Sequence, residues 1–213
     1  GLWLPRHSAP LDAELARLRG HRQERNLKIL DRLRSIGINI GYQEVLDEAG
    51  GESVGRPHIA RVLQKRGVVS NFAQAFELYL GYYGAAYVPR TLLTPEEGVS
   101  LMADLGAVVS FAHPMLIRCP PSWFDEIIPR LKEAGLGAIE AYHSEHSARD
   151  ERFCVELAAR YGLGLSGGSD YHGMAKPGVE LGRGKGGLRV TVALLDALKA
   201  RRKRPVDDAP EVL

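Results

Sequence analysis

At 213 residues and 45% hydrophobic content, the chain is long enough for one substantial core, or for one core plus a small appended domain. A formal net charge of +2 argues against both a basic nucleic-acid stripe and an acidic tail. No apolar run approaches the ~20 residues of a membrane span, no secretory leader precedes the first helical stretch, and Cys119 and Cys154 are too far apart for metal-type spacing, so they read as reduced thiols of a cytoplasmic protein.

The opening Gly1-Leu2-Trp3-Leu4-Pro5 has no initiator Met and reads as the end of a strand continued from an earlier segment. From Leu11 to Ile36, apolar residues recur at Leu11, Leu15, Leu18, Ile29, Leu30, Leu33 and Ile36 among many charges, predicting an amphipathic helix that stops at Gly37. The cationic residues from Arg17 to Arg34 read as its solvated face. Tyr42 to Ala49 predicts a short helix, and Arg56-Pro57-His58 starts another, with Pro57 in the first turn and Gly67 as the stop. Asn71 to Leu80 predicts a fourth helical piece, followed by a loop from Gly81 to Pro89.

Beyond Arg90 the pattern changes. Thr94-Pro95-Glu96-Glu97 has the form of a capping box for a helix ending at Gly106. A strand from Ala107 to Phe111, a helix from about Ser122 to Ala134 containing Pro129, and a strand from Gly137 to Tyr142 follow. Ser147-Ala148-Arg149-Asp150 caps a helix that ends at Gly162, and Leu163 to Ser166 is a third strand. Strand and helix in alternation imply βαβ units and a parallel sheet or barrel, so the class is α/β, with a mostly helical first part. The glycine-rich Gly182 to Gly187 loop lacks the Ser or Thr of a phosphate-binding loop and reads as a turn.

Loops at the C-terminal ends of barrel strands converge on one mouth. Here those ends carry His113, then His143 with His146, then Asp170 with His172. Imidazole and carboxylate together suit Mn²⁺, Fe²⁺ or Zn²⁺, and the absence of thiolate ligands argues against a structural zinc site. His143 and His146 read as loop residues or supports for the ligands. Three ligands cannot hold two or three metals, so further donors must come from elsewhere. Arg56 puts a guanidinium at a helix start, a combination that suits phosphate but is also an ordinary surface charge.

The segments Gly55 to His58, Phe111 to Pro114, Ile139 to Ser147 and Gly168 to Gly173 closely resemble the PHP (polymerase and histidinol phosphatase) superfamily. More narrowly they resemble its stand-alone bacterial phosphoesterases, which act as 3',5'-nucleoside bisphosphate phosphatases and 5'-to-3' exoribonucleases. The resemblance implies a distorted (β/α)7 barrel with a helical insertion domain. Residues 1–10 would end the N-terminal barrel portion, 11–90 form the insertion, 91–200 the C-terminal barrel portion and 201–213 a basic, flexible tail. It also implies a divalent metal cluster, with Mn²⁺ expected and Fe²⁺ or Zn²⁺ as alternatives. His113, Asp170 and His172 would be metal ligands and Arg56 a phosphate contact, while His58 and His146 match catalytic positions, His146 also touching substrate. The family's opening H-x-H strand, and the aspartate, histidine and glutamate after it, have no counterpart, so the chain matches the later two-thirds and alone is expected to be inactive. The expected substrate is a small phosphorylated compound, a nucleoside 3',5'-bisphosphate or the end of a short RNA, with no membrane and no extended double-stranded nucleic-acid surface. A histidinol-phosphate-type phosphatase or an inactive accessory domain are the alternatives.

Overall fold

The amphipathic stretch near the start becomes α1, Ala9–Ser35, in a computed structural model that describes residues 1–51, 53–173 and 176–202. Contacts divide the chain into two units, Ala9–Leu92, and Gly1–Ser8 together with Leu93 onward. The basic tail expected from residue 201 lies, from Lys203, outside the described residues.

In the helical unit, Ile29, Leu30 and Leu33 form the buried face of α1, and left-handed Gly37 (φ 87°) turns the chain away. The expectation of a wholly solvated arginine face fails at Arg25, which is 7% exposed and donates from Nε to the Val88 carbonyl at 2.9 Å. Helix α2, Tyr42–Ala49, and helix α3, Arg56–Lys65, follow, with Pro57 in the first turn of α3 as expected. Asn71 caps α4, Phe72–Ala75, by accepting from the Gln74 N–H at 2.9 Å. The predicted single helix then widens into a π-helical stretch, Phe76–Leu80, closed by the Gly81 N–H on the Phe76 carbonyl at 2.7 Å. A Cβ at residue 81 would lie 2.5 Å from that carbonyl oxygen, so glycine is what lets the wide turn close. Ile29, Leu33, Ile59, Leu63 and Leu80 are fully buried in this unit's core.

In the second unit, Thr94 and Glu97 cap α5, Pro95–Asp104, reciprocally, through Glu97 N–H to Thr94 Oγ1 at 3.2 Å and Thr94 N–H to Glu97 Oε2 at 2.7 Å. Three strands, β1 (Val109–Phe111), β2 (Leu136–His143) and β3 (Gly164–Gly168), pair in parallel in that order. Strand β1 starts two residues later than expected because Val108 pairs antiparallel with Leu2. A 3₁₀ turn at Pro114–Ile117 and α6, Pro121–Glu133, connect β1 to β2, and α7, Ala148–Tyr161, connects β2 to β3. A further helix, α8 (Val192–Lys199), has no counterpart in the sequence reading; it buries Leu198 beside Val108 and Ala138. Three strands leave two sheet edges, so the described residues form an α/β sheet and close no barrel. Both cysteines are free, and burial pushes the Cys154 thiol up to about 12, which leaves it unreactive. No helix among the described residues is long and apolar enough to cross a membrane.

Phe124 of α6 is 1% exposed, with its ring 6.3 Å from that of Phe111 and 5.5 Å from that of Phe153. Phe124→Ala should cost about 3–5 kcal/mol, read as a lowered urea midpoint; an unchanged midpoint would show that this ring does not anchor the sheet.

Candidate active site at the strand ends

Parallel pairing places Phe111 beside Ile139 and His143 beside Gly168, so the C-terminal ends of all three strands lie on one side. Just past them the backbone turns sharply. His113 (φ 31°) and Asp170 (φ 54°) are left-handed, which costs a residue bearing a side chain about 1–3 kcal/mol. At His113 the strain is compounded by Pro114, because the residue before a proline favours extended backbone. Two carboxylates oppose the strain. The His113 N–H donates to Glu140 Oε2 at 2.6 Å, and Asp170 Oδ2 accepts from Lys176 Nζ at 2.7 Å. Glu140 leans from the middle of β2, and a Cβ at Gly168 would come within 3.2 Å of its Oε1, so glycine leaves that carboxylate its room.

Alternation along β2 puts Ile139, Ala141 and His143 on one face, and they are 0%, 0% and 2% exposed. His143 Nδ1 accepts from the Glu145 N–H at 3.1 Å, which assigns the proton of the neutral ring to Nε2. That Nε2 is buried, has no hydrogen-bond partner, and faces Asp170 Oδ2 at 3.6 Å. The rings of His113 and His146 lie 5.5 and 5.1 Å from that of His143. Burial above all holds the His143 pKa below its ordinary value; Glu140 and Asp170 push it up and His146 pushes it down.

His146 and His172 take the other tautomer. A carbonyl oxygen only accepts, so Nδ1–H of His146 donates to the Ala141 carbonyl and Nδ1–H of His172 to the Asp170 carbonyl, each at 2.8 Å. Each ring keeps a lone pair on Nε2, the form that takes up a proton or a cation. Lys176 lies between Asp170 and Glu145, at 2.7 and 3.0 Å, and its ammonium holds both carboxyls below their ordinary range while they raise its own pKa.

The structure thus brings His113, His143, His146, Asp170 and His172 into one chain of neighbours. His143, expected to be a loop or supporting residue, is the buried centre of that chain, and the i, i+2, i+4 pattern from Ile139 is the signal that marks it. Glu140, Glu145 and Lys176 were not singled out from sequence. Arg56 and His58 lie in the helical unit. His58 is 7% exposed, and its Nδ1 accepts from the Gly55 N–H at 3.1 Å at the start of α3. Arg56 Nη1 donates to the Leu80 carbonyl at 2.8 Å, with the guanidinium 5.6 Å from the Phe76 ring centre.

No family model matches the chain. Over 175 residues it is 30% identical to the 5'-3' exoribonuclease Rnm of Escherichia coli K12, a match covering 82% of this chain and 59% of that protein. Over 208 residues it is 27% identical to the 3',5'-nucleoside bisphosphate phosphatase of Chromobacterium violaceum, covering 97% and 73%. A solved structure from Bifidobacterium adolescentis, assigned as a metal-dependent phosphoesterase, matches with a TM-score of 0.67 at 25% identity, covering 94% of this chain and 70% of that one. Over most of its length the chain is thus similar to phosphoesterases of the PHP superfamily. It spans 57% of the Salmonella typhimurium exoribonuclease Rnm and 59% of the Escherichia coli one.

The similar structure from Bifidobacterium adolescentis is assigned as metal-dependent, so the strand ends bear comparison with a metal-holding set. Among the described residues, no three His, Cys, Asp or Glu side chains are grouped so as to hold a metal ion. Asp170 and Nε2 of His172 are donors of the right kind, but Nε2 of His143 carries a proton and Asp170 is ion-paired to Lys176. The described residues therefore do not make a metal site unaided.

With a chelator present, long-range ¹H–¹⁵N NMR should show His143 as a neutral ring protonated at Nε2, titrating below its ordinary 6.5. Because the folded pKa is depressed, the unfolded chain binds the proton more readily. Stability at this group is therefore intact above 6.5 and is lost as pH falls from there through the folded value. An Nδ1-protonated ring, or a midpoint above 6.5, would contradict the geometry described.

Proposed function

We propose that this chain carries part of the active site of a phosphoesterase that hydrolyses phosphate esters at nucleotide or short RNA ends. The observation that carries the reading is the strained strand-end cluster, in which His113 and Asp170 are both held left-handed beside a buried His143. Backbone strain of this kind persists where surrounding contacts enforce it, and such positions concentrate at functional sites. Relatives at 27–30% identity, an exoribonuclease and a nucleoside bisphosphate phosphatase, support the nucleotide substrate.

Hydrolysis of such an ester needs neutralisation of the phosphate charge, a proton acceptor for the attacking water and a donor for the leaving oxygen. His146, with a lone pair on Nε2, is the proton acceptor in this reading and, once protonated, the group that returns that proton to the leaving oxygen, while the Nε2–H of neutral His143 offers a hydrogen bond to the developing charge. In the helical unit, Arg56 at the start of α3, where His58 fixes the turn, is a guanidinium suited to phosphate oxygens. His113, Asp170 and His172 are the contribution this chain would make to a cation-holding set completed by other donors, with Mn²⁺ the expected cation.

In the gene product that contains this chain, His146→Gln should lower kcat on adenosine 3',5'-bisphosphate by about 10²–10⁴-fold, with KM little changed. Asp170→Ala should abolish turnover on the same substrate. Full activity in the Asp170 variant, measured as phosphate release, would remove the strand-end cluster from the reaction.

A further inference from the structure

Two carboxylates at the strand ends share one ammonium. Lys176 Nζ lies 2.7 Å from Asp170 Oδ2 and 3.0 Å from Glu145 Oε1, and Lys185 Nζ stands 3.7 Å from the same Glu145 oxygen. Glu145 therefore keeps a second cation close by if Lys176 moves. The Asp170 carboxylate otherwise faces imidazoles, with His143 Nε2 3.6 Å from Oδ2 and His172 Nδ1 3.5 Å from Oδ1. An imidazole N–H offers it a dipole, whereas the ammonium offers a full charge. The side chains of Lys176, Asp170 and Glu145 are 27%, 22% and 30% exposed, so water and salt screen them less than a pair on open surface.

Asp170 is also the oxygen donor that a divalent cation at these strand ends would use, in the company of imidazole nitrogen. With Lys176 in place, that oxygen already holds a cation. A divalent ion and an ammonium on the same oxygen would sit only a few ångström apart and repel each other strongly. One of them must leave, and the geometry decides which can. Lys176 already touches Glu145, so giving up Asp170 costs it one ion pair of two. Its ammonium rides on a flexible four-carbon stem. Its backbone is held by long bonds, from its own N–H to the Gly173 carbonyl at 3.3 Å and from the Val179 N–H to its carbonyl at 3.4 Å. A guanidinium in the same place could bridge the two carboxylates through its fork and would be harder to displace.

We propose that Lys176 is the resident cation of the strand ends: its ammonium holds Asp170 and Glu145 while no metal is bound, and a divalent ion gains Asp170 only by displacing it onto Glu145. The mismatch between the described residues and a metal site is then the closed state of that exchange. The inference rests on the phosphoesterase reading for Asp170 as a cation ligand. The test uses the gene product that contains this chain, with Mn²⁺ affinity read from the EPR signal of the free ion and stability read as Tm in EDTA. Asp170→Ala identifies the Mn²⁺ binding that depends on Asp170. Lys176→Met keeps the length of the side chain and removes its charge. Apparent affinity is lowered by the fraction of molecules in the competent form, so Lys176→Met should tighten the Asp170-dependent binding by about 10-fold. Its Tm in EDTA should fall, because two carboxylates lose their shared partner. A tie with only a structural role would lower both stability and affinity. Should Lys176→Met fail to fold, Lys176→Arg decides: it keeps the charge, should hold Tm in EDTA, and should weaken Mn²⁺ binding. Unchanged or weaker Mn²⁺ binding in Lys176→Met, or binding in Lys176→Arg as tight as wild type or tighter, would overturn the proposal. Mn²⁺ binding left intact by Asp170→Ala overturns the cation-ligand reading and this proposal together; binding that Asp170→Ala removes and Lys176→Met does not tighten overturns this proposal alone.

Discussion

The parallel pairing of β1, β2 and β3 is the constraint on which the candidate site depends. Parallel strands need crossover connections, which α6 and α7 supply here, and the crossovers return each strand to run the same way. The consequence is directional: every strand delivers its following residues to one end of the sheet. His113, His143 and Asp170 are 27 or more residues apart in the chain, yet they become neighbours because each lies at or within two residues of a strand end. Helix packing sustains that pairing. Phe124 and Leu157 lie under the sheet with Ile139 and Ala141, in one apolar cluster that leaves the strand ends free to carry polar groups.

Once brought to that end, the polar groups are held by one another. A left-handed histidine before a proline is unfavourable unless its backbone is fixed, and the Glu140 carboxylate fixes it by taking the His113 N–H. That bond orients Glu140, and Gly168 on β3 leaves space for it. On the other side, Ser144 Oγ donates to the Ser169 carbonyl and Ser169 Oγ accepts from the Gly182 N–H, tying the glycine-rich turn to the end of β3. Lys176 then balances Asp170 and Glu145, so two carboxylates can sit near buried His143 without forcing its protonation.

Much of this was legible in the sequence wherever a single residue decides local geometry. Thr94 with Glu97 and Ser147 with Asp150 form the caps that their spacing predicts, and Gly37, Gly67, Gly106 and Gly162 all end helices in left-handed backbone. The helix at 192–199 was not legible, because Val192 and Leu195 are exposed and its apolar residues show no single buried stripe; Leu198 alone is buried. The π-helical turn at Phe76 follows from a close approach at Gly81 that no sequence pattern announces. For the site, His113, Asp170 and His172 were marked by position at strand ends. His143 lies one residue beyond the strand that the sequence predicts, Gly137 to Tyr142, so its place on the buried face is visible only once β2 is seen to extend to it. The burial of Arg25 is not legible because its partner, the Val88 carbonyl, lies 63 residues away, and charge periodicity along one helix carries nothing about it.

The two units also handle charge in opposite ways, and the contrast bears on what each is built to do. At the strand ends Asp170 pairs with Lys176, and Glu145 with Lys176 and Lys185, while Glu140 is held by the His113 N–H. In the helical unit Arg22, Arg25, Arg56 and Arg90 line one cavity of ≈ 310 Å³ that has no Asp or Glu among the described residues lining it. An arrangement selected for stability alone would place a carboxylate among four guanidinium groups, or replace Arg25 with an apolar residue able to fill the same space. Retaining Arg25 buried, with one nitrogen spent on the Val88 carbonyl and another left unmatched, sacrifices stability to keep a donor poised. The compensated end suits a site that must hold its own geometry before any ligand arrives. The uncompensated cavity suits the phosphate contact proposed for Arg56, because an anion there supplies the balance that the lining residues leave out.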